Sequence, residues 1–244
     1  MANRKKRRRE GMVQFDGGAL IAKMLKQEGV EYVFGLSGGH VDPIFQGCLD
    51  EGIRVIDTRH EQAAVFMADG WARVTGKPGV AVVTAGPGVT NAITGLWTAQ
   101  ATGSPVVVFG GRSPLGEFEQ GSMQDMDSLS LVKTVTKWAR AGYESKRIDE
   151  YVSMAFRHAL SGRPGPVYLE FPIDILRAQM AETEVVLPRN YRTTARLQGD
   201  PDLVKTAVEL LLRAKKPIII AGSGVWWSQA SKELLEFIEL TKIP

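Results

Sequence analysis

One acid in this chain stands where it could move a proton. Glu61 follows Arg59 and His60 and opens an alanine-rich run with helical character. The plain reading is an acid in the first turn of a helix, favoured there by the macrodipole. Among apolar neighbours such a glutamate is also partly withdrawn from water. Desolvation raises a carboxyl pKa and leaves a proton available to share with a bound base. Other chemically suggestive groups are small. Gly38-Gly39 leads into His40, and Ala85-Gly86-Pro87-Gly88 leads into Val89-Thr90-Asn91. By themselves both are tight turns, and neither has the spacing of a dinucleotide fingerprint or a P-loop. His40 reads as a loop histidine, with a substrate contact as the alternative. Cys48, the single cysteine, lies in an apolar-periodic stretch and reads as a buried structural thiol. No His, Cys and carboxylate set has metal-ligand spacing. Asp200, before Pro201, reads as a helix N-cap.

Such residues need a scaffold, and the pattern alternates helix with short apolar strand. Leu20, Ile21, Met24 and Leu25 mark a helix over 17–28, ended by Gly29. A strand follows at 32–35. Asp42 and Pro43 then supply an N-cap and first-turn proline for a helix to Asp50. The spacing predicts strands at 53–56, 79–84, 105–110 and 166–171, and helices at 61–74, 88–101 and 148–161. The 79–84 run is apolar throughout, as a strand covered on both faces should be. Between 111 and 129 the chain is irregular over a length that often carries function. This alternation predicts an α/β fold with a doubly wound parallel sheet and helices on both faces. Ligands then belong beyond the carboxyl ends of the strands. The polar segment 176–200 reads as a linker. After it come a helix at 201–213, a strand at 217–221 and a helix at 228–241. One strand and two helices cannot close a sheet, so 201–244 is the truncated beginning of a second α/β domain. The expected organisation is a disordered basic tail over 1–15, a ligand-binding domain over 16–175, the linker, and that beginning.

Composition narrows the class. Of 244 residues, 44% are hydrophobic and 23% charged, which suits a globular protein with a sizeable core. The net charge of +3 comes from the tail, where Arg4, Lys5, Lys6, Arg7, Arg8 and Arg9 outnumber the whole excess. No aromatic interleaving or recognition motif accompanies this run, so nucleic acid is not the expected partner. It also lacks the apolar stretch of a secretory signal, and no run approaches membrane-spanning length. A lone cysteine fits a reducing, cytoplasmic setting.

Six stretches, in order, resemble the acetolactate synthase family of thiamine-diphosphate enzymes. They are Val33-Phe34-Gly35-Leu36-Ser37-Gly38-Gly39, Arg59-His60-Glu61-Gln62-Ala63-Ala64, Ala68-Asp69-Gly70-Trp71-Ala72-Arg73, Thr75-Gly76-Lys77-Pro78-Gly79, Ala85-Gly86-Pro87-Gly88-Val89-Thr90-Asn91 and Gly162-Arg163-Pro164-Gly165-Pro166. The likeness runs from about residue 16 to the end, where 216–224 and 239–244 look like the opening of that family's central domain.

The resemblance implies that the first domain binds the aminopyrimidine ring of thiamine diphosphate, with Glu61 as the activating acid. A carboxyl bonded to ring N1′ favours the imino tautomer, whose exocyclic nitrogen takes the thiazolium C2 proton. It implies close approach at Gly38 and Gly39, and a pocket wall at Pro87 and Asn91. Gln124 is implied to approach the reacting centre. Met123 stands where relatives often carry Phe, a departure beside the substrate. Lys133 and Lys137 are implied to touch substrate or a neighbouring subunit, against a plain reading as a solvated face. Arg163 matches an arginine that flavin-containing relatives hold near FAD. Non-flavin relatives keep the same stretch, so FAD stays open. The cofactor's pyrophosphate and its Mg2+ belong to a third domain, marked by Gly-Asp-Gly, which this sequence lacks. A homodimer, a tetramer or a partner chain is therefore implied. The reaction class is a carboligase or lyase acting on 2-keto acids. A 2-hydroxyacyl-CoA lyase, an oxalyl-CoA lyase or another 2-keto-acid decarboxylase is the alternative. A non-catalytic structural or regulatory module, or an isolated domain fragment, is the alternative of another class.

Overall fold

A computed structural model describes residues 14–181, 183, 185, 187–195 and 198–244. The basic run at 4–9, expected to be a disordered tail, lies outside the described residues. Gln14 and Phe15, expected in that tail, are instead in a strand. The chain divides into two compact units, Met1–Tyr191 and Arg192–Pro244.

The first unit begins with β1 (Gln14–Asp16) and α1 (Gly17–Gln27). Then come β2 (Tyr32–Gly35), α2 (Asp42–Asp50), β3 (Arg54–Asp57) and α3 (Glu61–Thr75). β4 (Gly79–Val83), α4 (Pro87–Thr102) and β5 (Val106–Arg112) follow. After a loop come α5 (Ser128–Val132), β6 (Trp138–Ala141), α6 (Ile148–Leu160) and β7 (Val167–Pro172). α7 (Ile173–Arg177) and β8 (Gln179–Ala181) close the unit.

Six strands form one parallel sheet in the order β3-β2-β4-β5-β7-β6. This is the α/β sheet that the alternation predicts. Side chains alternate across it. Val80 and Val82 of β4 join the cluster containing Leu20, Ile44 and Phe156 from α1, α2 and α6. Ala81 and Val83 join the cluster of Ala64, Val65, Ala92 and Leu96 from α3 and α4. Both faces are thus covered, and each fully buried valine contributes roughly 1.5 kcal/mol or more. From β2 the chain crosses to β3 on one side. From β4 it crosses to β5 on the other. The order therefore reverses between β2 and β4, and in open α/β sheets ligands bind beyond the carboxyl ends of the strands at such a point.

Three details differ from expectation. Val41, not Asp42, holds the N-cap place of α2; Asp42 is its first helical residue and accepts from Ser37 Oγ at 3.1 Å. β6 forms an unforeseen edge strand, because Trp-Ala-Arg-Ala carries no apolar run. β1 and β8 pair antiparallel with Phe15 opposite Met180, too short a ladder to leave a sequence pattern.

The second unit holds α8 (Pro201–Arg213), α9 (Ser223–Trp227) and α10 (Ser231–Thr241). Asp200 caps α8 as expected, accepting from the amides of Asp202 at 2.9 Å and Leu203 at 3.1 Å. The expected strand at 217–221 is not formed; Ile219 N donates only to Pro244 O. A strand's backbone groups need a neighbour, and none is available among the described residues of this unit.

Candidate functional site

The groups that could act on a ligand lie beyond the carboxyl ends of β2, β3, β4 and β5. Chain leaving β3 is tied to β2 by Thr58, whose amide (2.9 Å) and hydroxyl (3.2 Å) both donate to Gly35 O. His60 then takes extended backbone as the N-cap of α3, its Nδ1 accepting from Gln62 N at 3.2 Å. Glu61 is the first residue of the helix, and it is buried, with 5% of its surface exposed. It lies at the positive end of a helix, and it faces inward.

The second turn of α4 supplies its partner, for Asn91 Nδ2 donates to Glu61 Oε2 at 3.0 Å. The other oxygen lies against Gly88, where a Cβ would sit 3.4 Å from Oε1 and 2.8 Å from Thr84 Cγ2. Gly88 therefore keeps the approach to the acid clear. Gly38, beyond β2, packs against the same threonine; a Cβ there would lie 2.5 Å from Thr84 Cβ and Oγ1. Gly39 differs, with open space around it. The sequence treated the two glycines alike, and only Gly38 is a close-approach position within this chain. Thr84 escaped the sequence reading, although it ends the apolar strand just before the Ala-Gly-Pro-Gly turn. Its Oγ1 is buried with no hydrogen-bond partner among the described residues. A buried hydroxyl left unpaired calls for an explanation.

A second loop closes on this turn. Gly86, at φ 57°, packs so tightly on Gln124 that a Cβ would meet Gln124 O at 2.8 Å. Gln124 itself takes φ 61°, a left-handed conformation that costs a non-glycine residue free energy. Gln124 lies beside His40, whose Cβ and carbonyl pack against Gly111 at the end of β5. Burial holds the His40 pKa below the usual 6.5, against the opposing effect of Gln124. Pro87, the first residue of α4, is exposed beside this turn. Met123 is 76% exposed, with its carbonyl accepting from Ser113 Oγ at 3.5 Å.

Other residues singled out by sequence lie elsewhere. Arg163 donates to Gln100 O (3.1 Å) and Ala101 O (2.8 Å), at the far end of the 16-residue α4. At 1.5 Å per residue those carbonyls lie about 15 Å along the helix from Asn91. Lys137 Nζ donates to Ser161 O and, at 2.9 Å, to Arg163 O. Lys133 is exposed at the end of α5. Cys48 is buried in the core, and burial pushes its thiol up to about 12. Among the described residues no three His, Cys, Asp or Glu side chains converge to hold a metal, and no helix is long and apolar enough to cross a membrane.

An inward-facing acid, an orphaned hydroxyl and glycines that bar any Cβ from the crevice fit the ring of a planar heteroaromatic cofactor with a protonatable nitrogen. Residues 15–131 match the thiamine pyrophosphate enzyme, N-terminal TPP binding domain, and residues 204–244 match the thiamine pyrophosphate enzyme, central domain. The chain is similar to a probable acetolactate synthase of Mycobacterium bovis, 40% identical over 233 residues, with 93% of this chain and 41% of that protein covered. It is similar to a probable acetolactate synthase large subunit of Methanocaldococcus jannaschii, 38% identical, with 93% and 39% covered. It is also similar to a 2-hydroxyacyl-CoA lyase 2 of Danio rerio, 38% identical, with 85% and 38% covered. The chain spans about two fifths of the length of these relatives. With two successive domains matched in order, it belongs to the thiamine pyrophosphate enzyme family.

Proposed function

We propose that this chain contributes the acid half of the active site in a thiamine-diphosphate-dependent carboligase or lyase acting on 2-keto acids, of acetolactate synthase type. The observation that carries the reading is Glu61, a buried acid bonded by Asn91 on one oxygen and left open on the other beside Gly88. Thiamine diphosphate, when bound, supplies the electron sink for carbon–carbon bond making and breaking. The residues of this chain do the rest. Glu61 Oε1 holds or yields a proton at the pyrimidine nitrogen, Asn91 fixes the carboxyl plane, and Gly38 and Gly88 let the ring lie close. Gly39 and Pro87 border it, and Gln124, packed on Gly86, faces the substrate.

The finer parts of the reading are these. Mg2+ and the pyrophosphate are held by a domain outside this sequence. A homodimer, a tetramer or a partner chain brings that domain to Glu61; exposed Phe66 and Met67 on α3 and Trp97 on α4 support such a contact. The setting is cytoplasmic. FAD near Arg163 has weaker support, since two of the Arg163 nitrogens already donate to α4 carbonyls. A second reading, a 2-hydroxyacyl-CoA lyase, is favoured by the similarity to relatives so named.

The test is Glu61→Gln in the complete assembly, following exchange of the cofactor C2 proton and product formation from pyruvate. The substitution should slow both by a factor on the order of 10²–10⁴. Unchanged exchange would sink the assignment. Wild-type enzyme that makes no acetolactate from pyruvate but cleaves a 2-hydroxyacyl-CoA would select the second reading.

A further inference from the structure

A buried polar network under the site has no place in the chemistry above. We propose that Glu170, Arg112 and Tyr168 position the 113–127 loop, and with it Gln124, over the crevice. This rests on the reading that Gln124 faces the substrate. Glu170, on β7, is wholly buried. Its Oε1 accepts from Arg112 Nη1 at 2.8 Å, and its Oε2 from Tyr168 OH at 3.0 Å. Gly110 opposite Glu170 in the ladder admits the tyrosine, for a Cβ there would collide with the phenol oxygen.

Arg112 passes this order to the loop. Its guanidinium lies 3.9 Å from the centre of the Phe118 ring, and Phe118 belongs to the loop. The loop is braced internally. Glu119 N donates to Asp125 Oδ2 at 2.7 Å, and Ser122 Oγ to Glu117 Oε2 at 2.6 Å. It is tied to the body by Leu115 N on Asp174 at 3.3 Å, by Phe118 on Arg112, and by Gln124 on Gly86. Phe118 is thus the middle anchor of a stiff segment whose last anchor is a residue in a left-handed conformation. Loosening the middle lets Gln124 relax out of it.

A purely stabilising role accounts poorly for the network. A buried ion pair contributes little net stability compared with apolar groups of the same volume. Burial pushes the Glu170 carboxyl up, while Arg112 and Tyr168 pull it back. What an apolar pair lacks is a charge fixed in direction, which a cation facing an aromatic ring requires.

The test is hydrogen exchange on the 244-residue chain without cofactor, with melting followed in parallel, for Glu170→Gln and Phe118→Leu. Glu170→Gln keeps the shape and the tyrosine bond but removes the charge. Phe118→Leu leaves the sheet untouched. Each should speed exchange over 113–127 by roughly tenfold while β4 and β5 amides stay protected. Unchanged loop exchange in either folded variant, or protection lost evenly across the sheet, would overturn the proposal. Should Glu170→Gln fail to fold, Phe118→Leu decides alone. In the complete enzyme Glu170→Gln should raise the substrate KM and leave thiamine diphosphate affinity unchanged; lost cofactor affinity counts against it. Failure of the Glu61 reading is seen separately, in C2 proton exchange, and leaves the loop result standing.

Discussion

The two ends of the sheet carry similar kinds of residue and use them differently. At the amino end of the strands, Arg163 and Lys137 spend their donors on backbone carbonyls at Gln100, Ala101, Ser161 and Arg163. Gly103 there, at φ 70°, is a helix C-cap. At the carboxyl end, Glu61 has one oxygen toward a glycine, and Thr84 Oγ1 and His40 Nδ1 are buried without a partner among the described residues. Gln100 Oε1 is the exception at the amino end. Folding normally satisfies buried polar groups. An end that leaves several unspent around one acid is built to be completed by something else, and an end that spends them is built to hold a helix.

The largest effect that separates the ends, beyond loss of the acid itself, comes from the paired glycines. Gly38→Ala drives a Cβ to 2.5 Å from Thr84 Cβ and Oγ1 at the meeting of β2 and β4. It should cost about 1–3 kcal/mol of stability in urea unfolding, with loss of cofactor activation. Gly39→Ala meets nothing within 4 Å, so its stability should stay within about 0.5 kcal/mol of the parent. Equal costs at the two positions would erase the distinction between them and weaken the placement of the crevice.

The amino end gives a smaller and opposite signature. Arg163→Met removes two charge-assisted bonds to the last turn of α4, and should cost about 1 kcal/mol because the side chain is exposed. A melt lowered by about 2–4 °C is the expected reading, with C2 proton exchange near the parent rate in the complete enzyme. An unchanged melt with loss of bound flavin would reverse the contrast and return Arg163 to the cofactor.

Legibility followed the same division. The strands of the sheet interior and the helices between them were plain, because apolar runs and 3.6-residue spacing are local signals. α2, for example, has the expected bounds of 42–50. β6, β1 and β8 were hidden, because what makes them strands is a neighbour, not their own pattern. Segment 217–221 is the converse, a strand-like run that stays irregular without a partner. In the site, Glu61, Asn91, Gly38 and Gln124 could be named from motifs. Thr84, Glu170 and the packing of Gln124 on Gly86 could not, since each matters through contacts between segments far apart in sequence. Arg163 illustrates the reverse risk: a motif arginine whose described bonds are those of a helix cap.

The smallest effect is a pH dependence at His40. Burial, with Arg177 adding to it, holds its pKa below the unfolded value of 6.5, and Gln124 and Glu117 oppose that shift without cancelling it. The unfolded chain therefore takes up the proton first as pH falls. The neutral ring contributes stability above 6.5, and that contribution is lost as pH drops from there through the lower folded value. His158 is shifted the same way, chiefly by burial, so stability should decline on acidification in this window with two contributors. His40→Gln should flatten only part of the slope in pH-dependent urea unfolding. An NMR titration of the His40 ring should show a midpoint below 6.5. A midpoint at or above 6.5 would mean that the ring is charged where it meets Gln124. The carboxyl end of the sheet would then present a cation beside Glu61's crevice, and its contrast with the arginine-capped amino end would narrow to the acid and the glycines alone.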